Sequence, residues 1–344
     1  MNKYFLSSLI LAGALTIGSL NAQTFSGGTG TQVDPYLISN IDDINELRDL
    51  VESLTNSLDS NWSRGKYFEL TQDIADTVTI PIGITFFTNV PNRAFEGHMN
   101  GKGFAVTLNI NGGQTNRYGG LFSIVSWGSI IDLKTKGYVT GFEVSGGIVG
   151  IISAREIQQR PFVIIKGCIS EVDLTTHHLT GTLGGIVSQS AKVIITDCVF
   201  NGSISVVFTK NTSNFMIGGI VASAGTETII DGCLNLGNLF FDVPNGFVPS
   251  VVGGIAGNVG GIGSKIISSK NAGFVKSIKT QNHNVGGITG TVGANSLISD
   301  NINVNVVEGH PDSTGCIVGK KPPPTVITTI INNHYDKQMC GEDD

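Results

Sequence analysis

Apolar positions along this chain return in a fixed setting. A cassette Gly-Gly-(Ile/Leu)-Xaa-small begins at Gly119, Gly146, Gly184, Gly218, Gly253, Gly286 and Gly315, at intervals of 27 to 38 residues. Recurrence on that scale marks a repeat protein in which each unit is one supersecondary element. Read as extended backbone, the first Gly, the aliphatic residue and the final small residue share one face. The aliphatic position is Leu121, Ile148, Ile186, Ile220, Ile255, Ile288 and Ile317, and the small one is Ser123, Gly150, Ser188, Ala222, Gly257, Gly290 and Gly319. The position between them varies through Phe122, Val149, Val187, Val221, Ala256, Thr289 and Val318, and this reading points it outward. The first Gly is never replaced and the second only by Cys316. That intolerance predicts a corner where φ is positive or where another backbone passes too close for a Cβ.

A second apolar run follows each cassette: Ile165 to Cys168, Ile195 to Cys198, Ile230 to Cys233, Ile266 to Ser269, Ile298 to Asn301 and Ile331 to His334. A third stretch follows in several copies, as at 204–208, 236–240 and 302–307. Three short strands per ~33 residues predict a three-sided coil. One coil cannot bury its apolar side chains alone, but stacking coils at the ~4.8 Å strand spacing makes a continuous core. The expected fold is therefore all-β, a right-handed parallel β-helix of about seven coils, with the handedness taken from the preference of parallel crossovers. A propeller blade of ~40–45 residues or a leucine-rich repeat of 20–29 fits the spacing less well.

Residues 41–54 follow a different period. Ile41, Ile44, Leu47, Leu50, Val51 and Leu54 fall on one helical face, with Ser39 or Asn40 as N-cap and Asp42 and Asp43 at the positive end of the dipole. Such a helix either closes the N-terminal end of the stack or packs on its flank. Upstream, Lys3 precedes a mostly apolar and small stretch from Phe5 to Leu20, then Asn21-Ala22-Gln23, the pattern of a signal peptide cleaved after Ala22. The expected organisation is a signal peptide at 1–22, a lead-in and cap at 23–110, the repeat β-helix at 111–340 and an acidic tail at 341–344. The implied location is secreted or cell-surface, with no membrane insertion once the signal is removed.

Composition agrees with many short strands. Glycine accounts for 46 of 344 residues, charged residues for 14% and aromatic ones for 7%. Glycine suits corners and β-branched residues suit pleated surfaces. The net charge is −6 and the chain lacks the basic footprint of a nucleic-acid binder.

At the cassettes the chain resembles the bacterial GLUG-motif family of exported repeat proteins. The resemblance extends to the 28–39 region Gly-Thr-Gly-Thr-Gln-Val-Asp-Pro-Tyr-Leu-Ile-Ser, to Lys66-Tyr67-Phe68-Glu69-Leu70-Thr71-Gln72-Asp73-Ile74 and to Phe95-Glu96-Gly97-His98-Met99-Asn100-Gly101-Lys102-Gly103. It covers roughly residues 25–340. It implies an adhesin-like surface β-helix whose partners are glycan or a host or cell-surface protein. Some members accompany a zinc peptidase domain. The Asn332-to-Gln338 segment resembles a terminal repeat that often has more chain after it, which implies a short member or a truncated gene model.

Candidate chemistry is sparse. Zinc peptidase chemistry needs His-Glu-Xaa-Xaa-His on a helix, and none of the six His residues stands in that setting. Polysaccharide lyases and hydrolases remain the enzymatic alternative. Asp197 and Asp300 share one repeat position with Asp231 one residue earlier, but coils apart they suit solvated turns better than a paired acid and base. Cys168, Cys198 and Cys233 occupy one position in consecutive coils and predict a buried thiol ladder. Stacked neighbours are also within disulfide range, and with five Cys at least one stays free or pairs between chains. Trp62, Tyr67, Trp127, Tyr138 and Phe142, with Phe208, Phe240, Phe241 and Phe247, are candidates for an exposed aromatic platform or for core. The expectation is no cofactor, no metal and no catalytic residue.

Overall fold

The computed structural model describes residues 25–53, 61–83, 93–112, 117–153, 161–208, 214–243, 249–278 and 283–340. The segment read as a signal peptide, Leu54 of the predicted helix face, Phe247 and the tail at 341–344 lie outside those residues. The chain is a parallel β-solenoid of about eight turns. A ten-stranded sheet runs from Tyr36–Ile38 to Thr329–Ile331, beside a thirteen-stranded sheet and two seven-stranded sheets. Because the ten-stranded sheet already contains Tyr36–Ile38, Tyr67–Leu70 and His98–Asn100, coils start well before the first cassette, and the turns outnumber the seven expected.

Four sheets replace the three predicted, and the reason lies in the cassette. In one central coil the chain passes through Val193–Thr196 in the ten-stranded sheet, then Val199–Phe200 and Ser203–Val207 in the thirteen-stranded one. It then runs through Phe215–Gly218 and Val221–Ala224, one in each seven-stranded sheet. The cassette is not a single extended strand. Its two glycines and the aliphatic residue bend the chain from one seven-stranded sheet into the other, forming a tight arc.

The arc explains which residue type each position accepts. A Cβ on the first Gly would sit 1.9 Å from the carbonyl oxygen three residues on, at Val149 for Gly146 and Val221 for Gly218. On the second Gly it would strike the same arc of the next coil, 2.0 Å from Gly219 O for Gly185 and 2.2 Å from Gly254 O for Gly219. Close approach, rather than positive φ, therefore excludes side chains at these glycines; Gly120 alone of the cassette pairs has positive φ, 141°. At the small position the two seven-stranded sheets back directly on each other, and a Cβ on Gly257 would lie 2.7 Å from Ile217 O. The exception at Cys316 falls on the seventh cassette, on which no further arc stacks among the described residues. There the side chain is accommodated and forms a disulfide with Cys340, Cα to Cα 5.6 Å, tying down helix α2 (Lys337–Cys340). That leaves three thiols, at Cys168, Cys198 and Cys233.

The aliphatic position behaves as predicted: Ile148, Ile186, Ile220, Ile255 and Ile288 are wholly buried, with Leu121 and Ile317 nearly so. Backbone bonds link them coil to coil, Ile186 N to Ile220 O at 3.1 Å and Ile220 N to Ile255 O at 2.9 Å. Burying each such side chain is worth about 1.5–3 kcal/mol. The position expected to face outward does not. Val149, Val187, Val221, Ala256 and Thr289 are fully buried, because the bend from one seven-stranded sheet into the other breaks the alternation that a single extended strand would impose.

A further ladder fills the interior. In the thirteen-stranded sheet, one column reads Ser170, Phe200, Asn235, Asn271, Asn303. Asn235 donates through Nδ2 to Asn271 Oδ1 at 2.7 Å, and Asn271 likewise to Asn303 at 2.8 Å. At the corner before it, Asp132, Gly167, Asp197, Gly232, Ser268, Asp300 and Asn332 all take positive φ. The ten-stranded register aligns Ile298 with Ile330, so the last copy of the second element runs from Ile330 to Asn333, one residue earlier than the sequence reading of Ile331 to His334.

Helix α1 (Ile41–Val51) is capped by Asn40, whose side chain accepts from the N–H groups of Asp42 and Asp43. It packs against Tyr36–Ile38 and Ile74–Val78, the end strands of two sheets, and Ile44, Leu47 and Val51 join the core. It closes the N-terminal end. Asp43 does more than face the dipole: its buried carboxylate accepts from Ser26 N, Ser26 Oγ and Ser39 N, pinning the segment that enters the helix.

One buried group makes stability depend on pH. His283 is 1% exposed, edge-on to Phe241 at 4.8 Å and 2.7 Å from Ser277 Oγ through Nδ1. Burial pushes its ring down to about 4 from an ordinary 6.5. Above pH 6.5 both folded and unfolded chains hold it neutral and it contributes nothing. As pH falls toward 4 the unfolded chain takes up the proton first, so stability is lost across that window, by roughly 2.5 kcal/mol at pH 4.5. We expect a His283→Gln variant to lose less stability than the native chain between pH 7.5 and pH 4.5, by about that amount, in denaturant midpoints. Equal losses in the two chains would remove His283 from the account.

Candidate binding face

Outward positions of the ten-stranded sheet differ in kind along the stack. Strands Tyr67–Leu70, His98–Asn100 and Ser129–Ile131 pair in parallel, with Tyr67 opposite His98 opposite Ser129 and Glu69 opposite Asn100 opposite Ile131. Alternation buries Phe68, Met99 and Ile130 and turns those two columns to solvent. One column is aromatic and the other mainly polar.

The rings of Tyr67 and His98 stack at 4.5 Å with 17° between planes, and Trp127 meets His98 edge-on at 5.8 Å. His98 Nδ1 lies 3.0 Å from Ser129 Oγ, and partial burial lowers its pKa, so the ring is neutral at pH 7. In the second column Glu69 pairs with Lys102 Nζ at 3.4 Å, while Asn100 Oδ1 accepts from the Lys102 N–H at the turn that follows. With Gln32 and Pro35 from the chain ahead of the first strand, Tyr67, Glu69, His98, Asn100, Ser129 and Ile131 line a groove of about 230 Å³. Farther along, the outward positions become Ile164, Ile194 and Ile229, each half-buried, beside Lys166, Thr196 and Asp231.

Of the aromatic residues singled out in the sequence, the structure brings Tyr67 to this groove and sets Trp127 beside it, against His98. Trp62 stacks on Tyr36 at 5.8 Å beneath Lys66, whose Nζ lies 3.7 Å from its ring centre. Phe142 and Phe241 are core, Phe208 packs against it, and Tyr138 is 58% exposed on a different sheet. His98, Ser129, Glu69 and Asn100 were not singled out. Their signal was the shared alternation of Tyr67-Phe68-Glu69 and His98-Met99-Asn100, which a 31-residue shift superimposes.

The remaining candidates resolve into structure. Cys168, Cys198 and Cys233 are buried thiols, each donating to a backbone carbonyl of the preceding coil, at Ile130, Ile165 and Ile195. Hydrogen bonding of its S–H with Cys168 and Cys233, then burial, holds the Cys198 thiol well above its ordinary pKa, so it stays protonated. Ser269, Asn301 and Asn333 continue the column, Asn301 Nδ2 donating to Asn333 Oδ1 at 2.9 Å. Among the described residues no group of three or more His, Cys, Asp or Glu side chains is arranged to hold a metal ion. Asp197 and Asp300 are exposed positive-φ corner residues, and Asp197 Oδ1 reaches over Gly232 of the next coil.

No family model matches the chain. It is 26% identical over 141 residues, 40% of its length, to a protein of Evansella cellulosilytica described as a "Putative Gly-rich membrane protein". Those residues cover 15% of that relative. Among the described residues no helix is long and apolar enough to cross a membrane. In solved structures the chain is similar to one from Bacteroides ovatus described as a "putative immunoglobulin A1 protease", with a TM-score of 0.59 and 15% identity over 91% of this chain and 87% of that one, a likeness of fold.

Proposed function

We propose that this chain is an exported, non-enzymatic scaffold of the cell surface or medium, adhesive in role, that binds glycan or protein through the flanks of its β-helix. The observation that carries the reading is the outer face of the ten-stranded sheet, where coil after coil presents side chains at fixed spacing and the N-terminal coils add a groove with aromatic and polar walls. A rigid stack of that kind offers an extended preformed surface, the use to which solenoids are put. Support for a non-enzymatic role comes from the aligned acids, whose place at corners accounts for them without chemistry. The membrane-protein description of the Evansella relative accords with display at a surface. The protease description of the structural neighbour is not carried over, since that likeness is one of fold.

The test incubates the purified protein with a panel of polysaccharides and surface-protein extracts, scoring retention together with new reducing or unsaturated ends. Retention without products is expected. Catalytic products would overturn the scaffold reading in favour of a polysaccharide lyase or hydrolase.

A further inference from the structure

We propose that the groove on strands Tyr67–Leu70, His98–Asn100 and Ser129–Ile131 is a subsite for one uncharged pyranose unit of a neutral polysaccharide. The inference rests on the scaffold reading and gives it a ligand class and a place. His98 covers one face of the Tyr67 ring and Pro35, the residue before the Tyr36–Phe68 pair, flanks the other, so Pro35, Tyr67 and His98 form one apolar wall whose edges face the groove. A sugar ring has an apolar face of C–H groups and an equatorial rim of hydroxyls, and an amphipathic ring of this kind lays its C–H groups along an apolar wall and turns its rim to the polar side. The neighbouring column supplies what the rim needs: Glu69 is an acceptor, and Asn100, with Oδ1 engaged by the Lys102 N–H, offers its Nδ2 as donor.

Charge decides the class. Glu69 and Lys102 already form a pair at 3.4 Å, and His98 is neutral at pH 7. The Lys66 ammonium sits over the Trp62 ring, 3.7 Å from its centre. A uronic acid would therefore set its carboxylate beside Glu69 with no cation committed to it, whereas neutral hydroxyls lose nothing there. The volume of about 230 Å³ is small for a drug-sized ligand and suits one ring of a longer chain. The rest of such a chain would run along the sheet toward the Ile164 to Ile229 column.

The experiment is affinity electrophoresis of the full chain in gels containing β-glucan, xylan or galactomannan as neutral polymers and polygalacturonate or alginate as acidic ones. Tyr67→Ala, Glu69→Ala and the control Tyr138→Ala are run beside it, with thermal melts reporting that each is folded. We expect retardation by at least one neutral polymer, weakened at least tenfold by Tyr67→Ala and by Glu69→Ala and unchanged by Tyr138→Ala. Glu69 lies at the surface, so its variant folds even where Tyr67→Ala does not. Retardation that survives both groove variants overturns the subsite and leaves the scaffold reading standing. Groove-dependent retardation by acidic polymers alone overturns the neutral class. Retardation by no polymer overturns the subsite and confines the scaffold reading to protein partners.

Discussion

A single methyl group at Gly254 is expected to destabilise this protein by more than about 4 kcal/mol, the range reserved for backbone collisions and large core defects. The Cβ of Gly254→Ala would lie 2.1 Å from Gly287 O in the next coil and 2.4 Å from Asn271 Cγ. Neither neighbour can yield. The carbonyl is fixed in the arc above, and Asn271 is held on both sides by the asparagine column. In a solenoid each coil is stabilised mainly by its neighbours, so a forced separation between two arcs severs the stack rather than loosening it evenly. Limited proteolysis is accordingly expected to cut first near residues 249–290. The control is Gly103→Ala, where φ is +81° but no atom lies within 4 Å of the added carbon. Only the left-handed backbone is penalised there, at about 1–2 kcal/mol. Denaturant midpoints of the two variants separate the effects. A Gly254→Ala protein within 1 kcal/mol of the native chain would mean that the arcs are not packed as described.

The contrast between these two glycines marks how far the sequence could be read. Seven aliphatic residues in one setting can be satisfied only by stacking, so the solenoid and its internal ladder were legible from the cassette alone. The arc was not. Strand alternation assigns Val187 and Val221 to the outside because it treats Gly-Gly-Ile as extended, and no residue in the cassette announces a bend when six of the seven pairs make it without positive φ. The same degeneracy shifted the last repeat by one, since Ile330 and Ile331 are both isoleucine and only pairing with Ile298 chooses between them. Cys316 was visible as the one residue replacing a cassette glycine. Its partner was not, because Cys340 lies in α2 at the end of the stack, outside the repeat register. The groove depends on neighbours 31 residues apart, so it emerges only once Tyr67 is placed against His98.

Asn271→Leu is expected to cost at least about 3 kcal/mol although leucine is close to asparagine in size, because the loss is in satisfied polar groups rather than in volume. Asn271 is wholly buried and serves four partners: Nδ2 donates to Asn303 Oδ1 and to Gly273 O, while Oδ1 accepts from Asn235 Nδ2 and from Gly273 N. Leucine leaves the Asn235 donor and the Asn303 acceptor facing hydrocarbon, and each orphaned buried group costs ~1–3 kcal/mol. The column itself tolerates apolar residues, since Phe200 occupies the same position earlier in the stack. What the site cannot tolerate is an interrupted run of amides. It follows that Asn271→Leu and Asn303→Leu together should cost less than the sum of the two single changes, by about 1 kcal/mol or more, because the second substitution removes an acceptor that the first has already orphaned. Equilibrium unfolding of the four proteins closes the cycle. Additive costs would show that the amides act one by one and that no ladder joins these coils.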